Sequence, residues 1–179
     1  MNIFYLHNDP KTCAEQHLDK HVVKMLIEYA QLMSTAHRVL DGVKYIGKSK
    51  TGRKVTRYLL ENKNEEATIY KACHYNHPSA VWVRASAYNY YWLYAMWSYL
   101  HDEFKLRYGK DHKSYVVLKD LLRNPPKNAP LNIPFNQPTQ AMPDDVKNKD
   151  SITAYRDYYI KYKNSFATWK TSIPKWYSE

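Results

Sequence analysis

The sequence predicts a mostly α-helical protein: a compact single-domain helical bundle around one long central helix, with a small basic hairpin or loop and a long proline-rich ordered wrap. Three observations lead to this prediction. Apolar residues recur at three-to-four spacing over most of the chain, and capping or stop residues fall at the ends of these runs. With 44% apolar residues, 179 residues form one core more readily than two. We therefore expect one domain over residues 1–179.

The first apolar run predicts the central helix. Asp9 followed by Pro10 is typical of a helix start, and Gly42 of a helix stop. Between them the apolar residues keep helical spacing at Leu18, Val22, Met25, Tyr29, Leu32, Ala36 and Leu40. One continuous helix is expected over this stretch.

The next stretch predicts the basic hairpin or loop. Residues 43–58, VKYIGKSKTGRKVTRY, carry six positive side chains and no negative one. Their alternation and their two glycines are typical of a short surface ribbon.

Three further helical segments follow. We expect a short helix over residues 65–74 and a second long, very aromatic helix over residues 79–108, which Pro78 starts and Gly109 stops. A third amphipathic segment covers residues 111–123.

The proline-rich wrap and the last helix complete the chain. Residues 124–149 contain six prolines, which exclude a regular helix, and their apolar and amide side chains favour an ordered wrap over a flexible linker. Asp150 and Ser151 are then expected to cap a final helix that ends near Lys170.

Charge and aromatic content indicate a polyanionic partner. The chain has 27 Lys and Arg against 17 Asp and Glu, a formal charge of +10, and 18 tyrosines. Basic residues interleaved with aromatic ones suit a protein that holds phosphates and stacks on bases, so we expect nucleic acid, above all double-stranded DNA. No long uncharged apolar run and no signal peptide are found, so we expect no membrane association and a cytoplasmic protein. No cofactor is expected.

One polar seam follows the predicted central helix. Its members share one helical track: His17, His21, Lys24, Glu28, Gln31 and Thr35. Apolar residues flank the seam on both sides, which favours a buried cleft. The alternative is a solvated Lys24–Glu28 ion pair, which adds only about 0.2–0.5 kcal/mol to helix stability.

Two kinds of chemistry fit this seam. His17 and His21, four residues apart, suit a shared metal, although the Glu that follows the first His in helical zinc enzymes is absent and nearby lysines repel a divalent ion. Alternatively, Lys24 beside Glu28 supplies an amine and an acid. A desolvated lysine with a lowered pKa can attack C1′ of a deoxynucleotide and release the base through an imine.

Four blocks of the sequence resemble, in order and approximate position, the pyrimidine-dimer DNA glycosylase superfamily typified by phage endonuclease V. They are AEQHLDKHVVKML, NHPSAVWVRASAYNYY, LRYG and the terminal PKWY. The tracts STAHR and QPTQAMPDD…AYRDYYI resemble more closely one branch of this superfamily, which large tailed phages carry. The resemblance implies a compact helical domain, a basic DNA-facing surface, base flipping, an N-terminal α-amine as nucleophile and a glutamate on the first long helix.

Two positions depart from the family pattern. Lys24 lies where the resemblance places the catalytic glutamate, and the nearest carboxylate on that face is Glu28, one turn or about 6 Å further along the axis. The family exposes the amine of a small residue, whereas Asn2 is bulky enough to keep Met1 in place. Either the α-amine of Met1 serves, or Lys24 does, or the glycosylase reaction has been lost.

The remaining candidates are nucleic-acid contacts. Asn76 and His77 precede a helix whose N–H groups suit a phosphate, with Arg84 about two turns further on. Trp176 and Tyr177 match the C-terminal aromatic segment that lies against the lesion strand in the family. A third set is expected either to contact phosphates or to be merely solvated: Arg38, Arg53, Lys54 and Arg57.

The sequence therefore predicts a DNA or nucleotide base-processing protein of the pyrimidine-dimer glycosylase type with an altered catalytic centre, whose catalytic candidates are Lys24, Glu28, His17, His21 and Met1. A first alternative is a catalytically inactive phage protein that binds nucleic acid or blocks a host factor. A second is a metal-dependent enzyme that uses His17 and His21.

Overall fold

A computed structural model describes residues 1–178, and this part of the chain is mostly helical with one small antiparallel sheet. In chain order the elements are α1 (Pro10–Glu15), α2 (Asp19–Asp41), β1 (Val43–Lys48), β2 (Lys54–Leu59), α3 (Lys63–Thr68), α4 (Pro78–Ala85), α5 (Ala87–Tyr108), α6 (Lys113–Leu118), α7 (Ser151–Tyr162) and α8 (Lys175–Ser178). Two 3-10 turns, Asp144–Val146 and Asn164–Phe166, lie on either side of α7. The predicted mostly helical fold class is confirmed.

Helix α2 lies at the centre of the bundle and packs against α4, α5 and α6. Its apolar residues at helical spacing are fully buried from Val22 to Ala36, Leu40 is half-buried, and buried residues of α5 pack against this helix. Trp97 of α5 donates its indole N–H to the carbonyl of Leu26 at 2.9 Å, so the two long helices share a hydrogen bond inside the core. None of the helices described for residues 1–178 has the length and apolarity to cross a lipid bilayer.

The prediction of a single helix from Pro10 onwards is wrong, because the chain breaks between α1 and α2. The buried guanidinium of Arg107 from α5 fills the break. It donates to the carbonyls of Glu15 at 2.9 Å and His17 at 2.8 Å, and it pairs with Asp19 at 3.1 Å. Arg107 therefore replaces the N–H groups that a continuous helix would offer these carbonyls.

The second predicted long helix, over residues 79–108, is also divided. Ser86 has extended backbone angles, φ −152° and ψ 140°, and separates α4 from α5. Its hydroxyl donates to the carbonyl of Ile133, and the N–H of Ala87 donates to the carbonyl of Pro130 at 2.9 Å. The proline-rich segment thus enters the break and satisfies its backbone groups.

The proline-rich segment, residues 124–149, lies across the helices as irregular chain with bends, a turn closed by Ala129 and Pro126, and one 3-10 turn. Trp82 donates its indole N–H to the carbonyl of Asn136 at 3.0 Å, and the hydroxyl of Tyr155 donates to the carbonyl of Thr139 at 2.7 Å. These hydrogen bonds tie the segment to α4 and α7.

The boundaries of α3, α6 and α7 differ from the predicted ones, and all three helices are shorter than predicted. The helix expected over residues 65–74 begins and ends earlier, as α3, because extended chain follows Thr68 and offers the carbonyls of Ile69 and Tyr70 to Arg38. The helix expected over residues 111–123 is the six-residue α6, and the final long helix, α7, ends at Tyr162 rather than near Lys170.

The basic hairpin is present as predicted. Strands β1 and β2 pair antiparallel, with Val43 opposite Leu59 and Lys48 opposite Lys54. The turn is ordered by Ser49, whose hydroxyl accepts the N–H of Arg53 at 3.1 Å. Gly52, at φ +79°, supplies the left-handed conformation that the turn requires.

Candidate active site

The first residues of the chain are held inside the bundle. Residues 3–6 are extended, and each of their side chains is at most 5% exposed. The N–H of Phe4 donates to the hydroxyl of Tyr29 at 3.2 Å, and the carbonyl of Leu6 accepts from Arg156 at 3.0 Å. Because this segment is fixed by burial and by hydrogen bonds at both ends, the position of the Met1 α-amine is also fixed.

The α-amine of Met1 and the carboxylate of Glu28 meet at a small cavity. The amine lies 3.7 Å from Oε2 of Glu28, and Nζ of Lys24 lies 3.1 Å from Oε1. The side chains of Met1 and Glu28 are 9% and 16% exposed, whereas that of Lys24 is 66% exposed. The cavity measures about 180 Å³ and is lined by Met1, Asn2, Phe4, His21, Lys24, Met25, Glu28, Tyr158 and Lys163.

The exposure of Lys24 contradicts one premise of the sequence prediction. A lysine that acts as a neutral nucleophile because it is desolvated must be buried, and two thirds of this side chain face solvent. Lys24 lies at the rim of the cavity, and Glu28 lies inside it. The structure thus places the partly buried amine and the carboxylate together at Met1 and Glu28.

His21 forms a neutral wall of the cavity. Its Nδ1 lies 2.7 Å from the hydroxyl of Tyr159, and its ring stacks on Phe4 at 4.1 Å between centroids. Burial, followed by the charges of His17, Lys163 and Lys24, lowers the pKa of His21 to about 2. Burial also raises the pKa of Tyr159 well above its usual value of 10.0, so its hydroxyl keeps its proton. Neutral His21 and its neutral partner Tyr159 therefore add no charge to the cavity.

The sequence prediction missed one charged residue of the cavity, Lys163. Lys163 follows α7 and its Nζ lies 4.5 Å from the centroid of the Tyr158 ring. With Lys24 it gives the cavity two cationic side chains. The sequence offered no signal for Lys163, because the predicted final helix continued through this position and nothing distinguished Lys163 from the other lysines of that helix.

His17 does not line the cavity, and its placement in the active site is wrong. It is fully buried before α2, with Nδ1 2.8 Å from the carbonyl of Cys13 and Nε2 2.9 Å from the hydroxyl of Tyr29. Burial lowers the pKa of His17 to about 4, which keeps the imidazole neutral. Both ring nitrogens are engaged in core hydrogen bonds.

The same geometry bears on the metal hypothesis. His17 has no nitrogen left for a metal, and one nitrogen of His21 faces Tyr159. Within residues 1–178, no group of three or more His, Cys, Asp and Glu side chains is arranged to hold an ion. The pair of histidines therefore lacks the ligand set that this hypothesis requires.

Arg38 is a structural residue, so its prediction as a phosphate contact is wrong. It is 2% exposed, and its guanidinium donates to four backbone carbonyls and pairs with Glu66 at 2.6 Å. These bonds join α2, the hairpin and α3. No nitrogen of this side chain faces outwards to meet a phosphate.

The loop that precedes α4 lies close to the Met1 amine. His77 caps α4, since its Nδ1 accepts the N–H of Ser79 at 3.1 Å, so one of the N–H groups predicted to bind phosphate is already occupied. Burial, and then the Met1 α-amine, lowers the pKa of His77 below 6.5. Asn76 is exposed, and Arg84 donates to the carbonyl of Tyr75 at 2.6 Å, which holds the loop against α4.

The C-terminal aromatic residues pack on the body near the cavity. Trp176 donates to the side chain of Gln16 at 2.9 Å, and the guanidinium of Arg156 lies 5.2 Å from its ring. Its ring also contacts Tyr159, which holds His21. Tyr177 donates to Asn164 at 3.0 Å. Both rings are half-buried, so their faces are partly used for packing.

The hairpin cations are accessible. Arg53 and Lys54 are exposed and Arg57 is half-buried. The hairpin adjoins the loop before α4, because the rings of Tyr58 and Tyr75 contact each other at 6.2 Å between centroids. The hairpin and this loop are therefore neighbours on the surface.

Comparisons of the chain with protein-family models, with curated proteins and with solved structures find no match. The resemblance to pyrimidine-dimer glycosylases therefore stays a prediction from the sequence.

Proposed function

We propose that the protein is a DNA base-processing enzyme of the glycosylase type, in which an amine beside Glu28 forms an imine with the sugar of the target nucleotide. One observation carries the proposal: a partly buried α-amine and a partly buried carboxylate share a cavity at 3.7 Å. A neutral amine is a good nucleophile toward C1′, and a carboxylate next to it can accept and return protons.

The α-amine of Met1 is the better candidate for the nucleophile. It lies at the cavity and is held by the buried segment of residues 3–6, whereas Lys24 reaches Glu28 from solvent. A fixed position also removes much of the entropy cost of attack.

Base release and sugar opening proceed through an iminium at C1′. The nitrogen lone pair attacks C1′, the N-glycosidic bond breaks, and the base leaves with the bonding electrons and takes up a proton. The C1′–O4′ bond then opens to give an iminium, with Glu28 accepting a proton from the amine and returning one to O4′. Water hydrolyses the iminium and regenerates the amine. His21, which is neutral and lines the cavity, is positioned to form a hydrogen bond with the sugar or base.

The polyanionic substrate follows from charge. The formal charge of +10 and the two lysines at the cavity, Lys24 and Lys163, favour phosphates on both sides of the target nucleotide. Lys24 then holds a phosphate and orients Glu28, a role that suits an exposed side chain. Action on DNA would place the protein in the cytoplasm, that of an infected host cell if a phage carries the gene.

The test is covalent trapping with borohydride on duplexes that contain an abasic site, ultraviolet photoproducts or a modified base. We expect a reduced adduct, and peptide mass spectrometry should map it to Met1. Glu28→Gln should lower turnover about 10²–10⁴-fold, because it removes an acid–base group, while duplex affinity changes less than about threefold. Mapping to Lys24 would transfer the nucleophile to that residue and refute the assignment of Met1.

The chain offers a matched control for this test. Lys11 and Glu15 form a second i,i+4 ion pair, at 3.8 Å, on the surface of α1. Glu15→Gln removes the same charge with the same partner type and should leave turnover unchanged. Tight duplex binding with neither adduct nor base release from any substrate would instead support the catalytically inactive nucleic-acid-binding or host-factor-blocking protein.

A further inference from the structure

The hairpin carries a charge pattern that destabilises it in isolation. Lys48 lies directly opposite Lys54, and alternation along β1 places Lys44 on the same face. Like charges in directly opposed positions repel each other across a ribbon. Within residues 1–178, none of the six hairpin cations forms an ion pair with a carboxylate. These six charges are therefore open to a negatively charged partner.

Apolar side chains on the hairpin are also uncovered. Val43 is 73% exposed, Ile46 64% and Leu59 52%, and the ring of Tyr45 is half exposed. Every residue of β1 except Gly47 is exposed, so the strand has solvent on both of its faces. The ribbon therefore projects from the body instead of forming one wall of the core.

A projecting two-stranded ribbon has the dimensions of a groove binder. Its strands lie about 4.8 Å apart, and the major groove of B-form DNA, about 12 Å wide, admits such a ribbon with its side chains. Phosphates along the groove edges would meet the lysines, while Ile46, on the same face of the ribbon as Lys44 and Lys48, would contact base edges, thymine methyl groups among them. The major groove of A-form RNA is too deep and narrow for this.

We propose that the hairpin enters the major groove of B-form duplex DNA and anchors the duplex beside the cavity. This inference rests on the proposed function only for the substrate of the cavity, because groove binding by the hairpin is measurable without any turnover. The hairpin touches the loop that precedes α4 through Tyr58 and Tyr75. This loop is tied to α2, which carries Glu28, by the hydrogen bond from the hydroxyl of Thr35 to the carbonyl of Cys73 at 3.3 Å. A duplex held by the ribbon would thus pass the cavity.

The test measures duplex affinity by fluorescence anisotropy for the chain and for Lys48→Gln/Lys54→Gln. Two lost phosphate contacts lower the salt slope by about 1.8, which corresponds to roughly 30-fold weaker binding at 0.15 M salt. Because the substitution also removes like-charge repulsion, the melting temperature should stay the same or rise. A weaker affinity therefore cannot be ascribed to unfolding.

The matched control removes the same charge elsewhere. Lys110 and Lys119 are exposed and lie outside the hairpin, near the far end of α5 and after α6. Lys110→Gln/Lys119→Gln should weaken duplex binding less than about threefold. Equal losses in both double variants would reduce the effect to net charge and overturn the hairpin assignment.

Two further measurements identify the groove and the duplex. Dimethyl sulfate methylates guanine N7 in the major groove and adenine N3 in the minor groove, so we expect the chain to protect N7 and Lys48→Gln/Lys54→Gln to lose that protection. Affinity for an RNA duplex of the same sequence should be at least tenfold weaker than for DNA. The inference would be overturned if the chain protects adenine N3 alone or if it binds both duplexes with equal affinity. It would also be overturned if sedimentation shows a dimer whose interface buries the hairpin.

The outcomes separate the two proposals. If the duplex binds through the hairpin but no adduct forms, glycosylase chemistry fails and groove binding stands. If an adduct forms while the hairpin variants bind as tightly as the parent chain, the groove assignment fails and the cavity chemistry stands.

Discussion

Replacing Tyr29 with phenylalanine should destabilise the packing of residues 3–6 against the core. The buried hydroxyl accepts the N–H of Phe4 at 3.2 Å and lies 2.9 Å from Nε2 of His17. Burial raises the pKa of Tyr29 well above 10.0, so the hydroxyl keeps its proton and donates it to that nitrogen. Tyr29→Phe therefore leaves a buried donor and a buried acceptor without their partner.

The expected magnitude follows from these two groups. A buried donor or acceptor that loses its partner costs about 1–3 kcal/mol. Two such groups should lower the free energy of unfolding by roughly 2–6 kcal/mol, since the phenyl ring keeps the remaining packing of Tyr29. This is a large part of the stability of an ordinary domain.

Urea denaturation provides the assay, with Tyr91→Phe as the control because its ring is exposed on α5. With an m-value of about 2 kcal/mol per molar, the midpoint of Tyr29→Phe should fall by roughly 1–3 M and that of Tyr91→Phe should not move. Amide hydrogen exchange at residues 3–6 should also accelerate. A loss below about 0.5 kcal/mol would refute the role given to this hydroxyl.

Two further predictions concern stability. Buried His17, whose pKa is about 4, and His21, whose pKa is lowered further, are both neutral when folded but titrate near 6.5 when unfolded, so stability is fully present above pH 6.5 and falls as the pH drops toward 4. At pH 5 each should cost about 2 kcal/mol, and urea midpoints that do not change between pH 7 and 5 would contradict this. Arg107→Met leaves the carboxylates of Asp19 and Glu103 without their buried partner. It should lower the free energy of unfolding, measured by thermal unfolding, by roughly 3–5 kcal/mol. A decrease below about 1 kcal/mol would show that the α1–α2 break does not depend on this arginine.

The sequence predicted best those features that depend on a few neighbouring residues. Asp9 caps α1 and Asp150 caps α7, each through its own side chain, and Gly109 ends α5 in the left-handed conformation. The basic hairpin is likewise a local pattern of alternation and turn residues. Each of these signals lies within the element that it starts or ends, so no knowledge of distant contacts is needed.

The two helix breaks depend on distant partners and were missed for that reason. Arg107 is 90 residues from the carbonyl of His17, and the carbonyl that accepts from Ser86 is 47 residues away. Hydrophobic periodicity continues across both breaks, because the core-facing side chains keep their spacing. A pattern of side chains does not reveal that the backbone hydrogen bonds are made elsewhere.

The two misassigned residues were judged by residue type, without knowledge of their distant partners. His17 was predicted as an active-site residue because it lies on a polar seam between apolar residues, and Arg38 as a phosphate contact because it is a cation. The structure shows that core hydrogen bonds satisfy both of them. By contrast, Glu28 and Met1 are distant in sequence, and only the burial of residues 3–6 brings their charged groups together.

The buried start of the chain also sets when the cavity can form during synthesis. Phe4 packs against Tyr155 and Tyr159, and the carbonyl of Leu6 accepts from Arg156, 150 residues later. At about 5–20 residues per second, a ribosome needs roughly 8–30 s to supply that partner. Until α7 has been synthesised, residues 3–6 therefore lack the side chains that bury them in the folded protein.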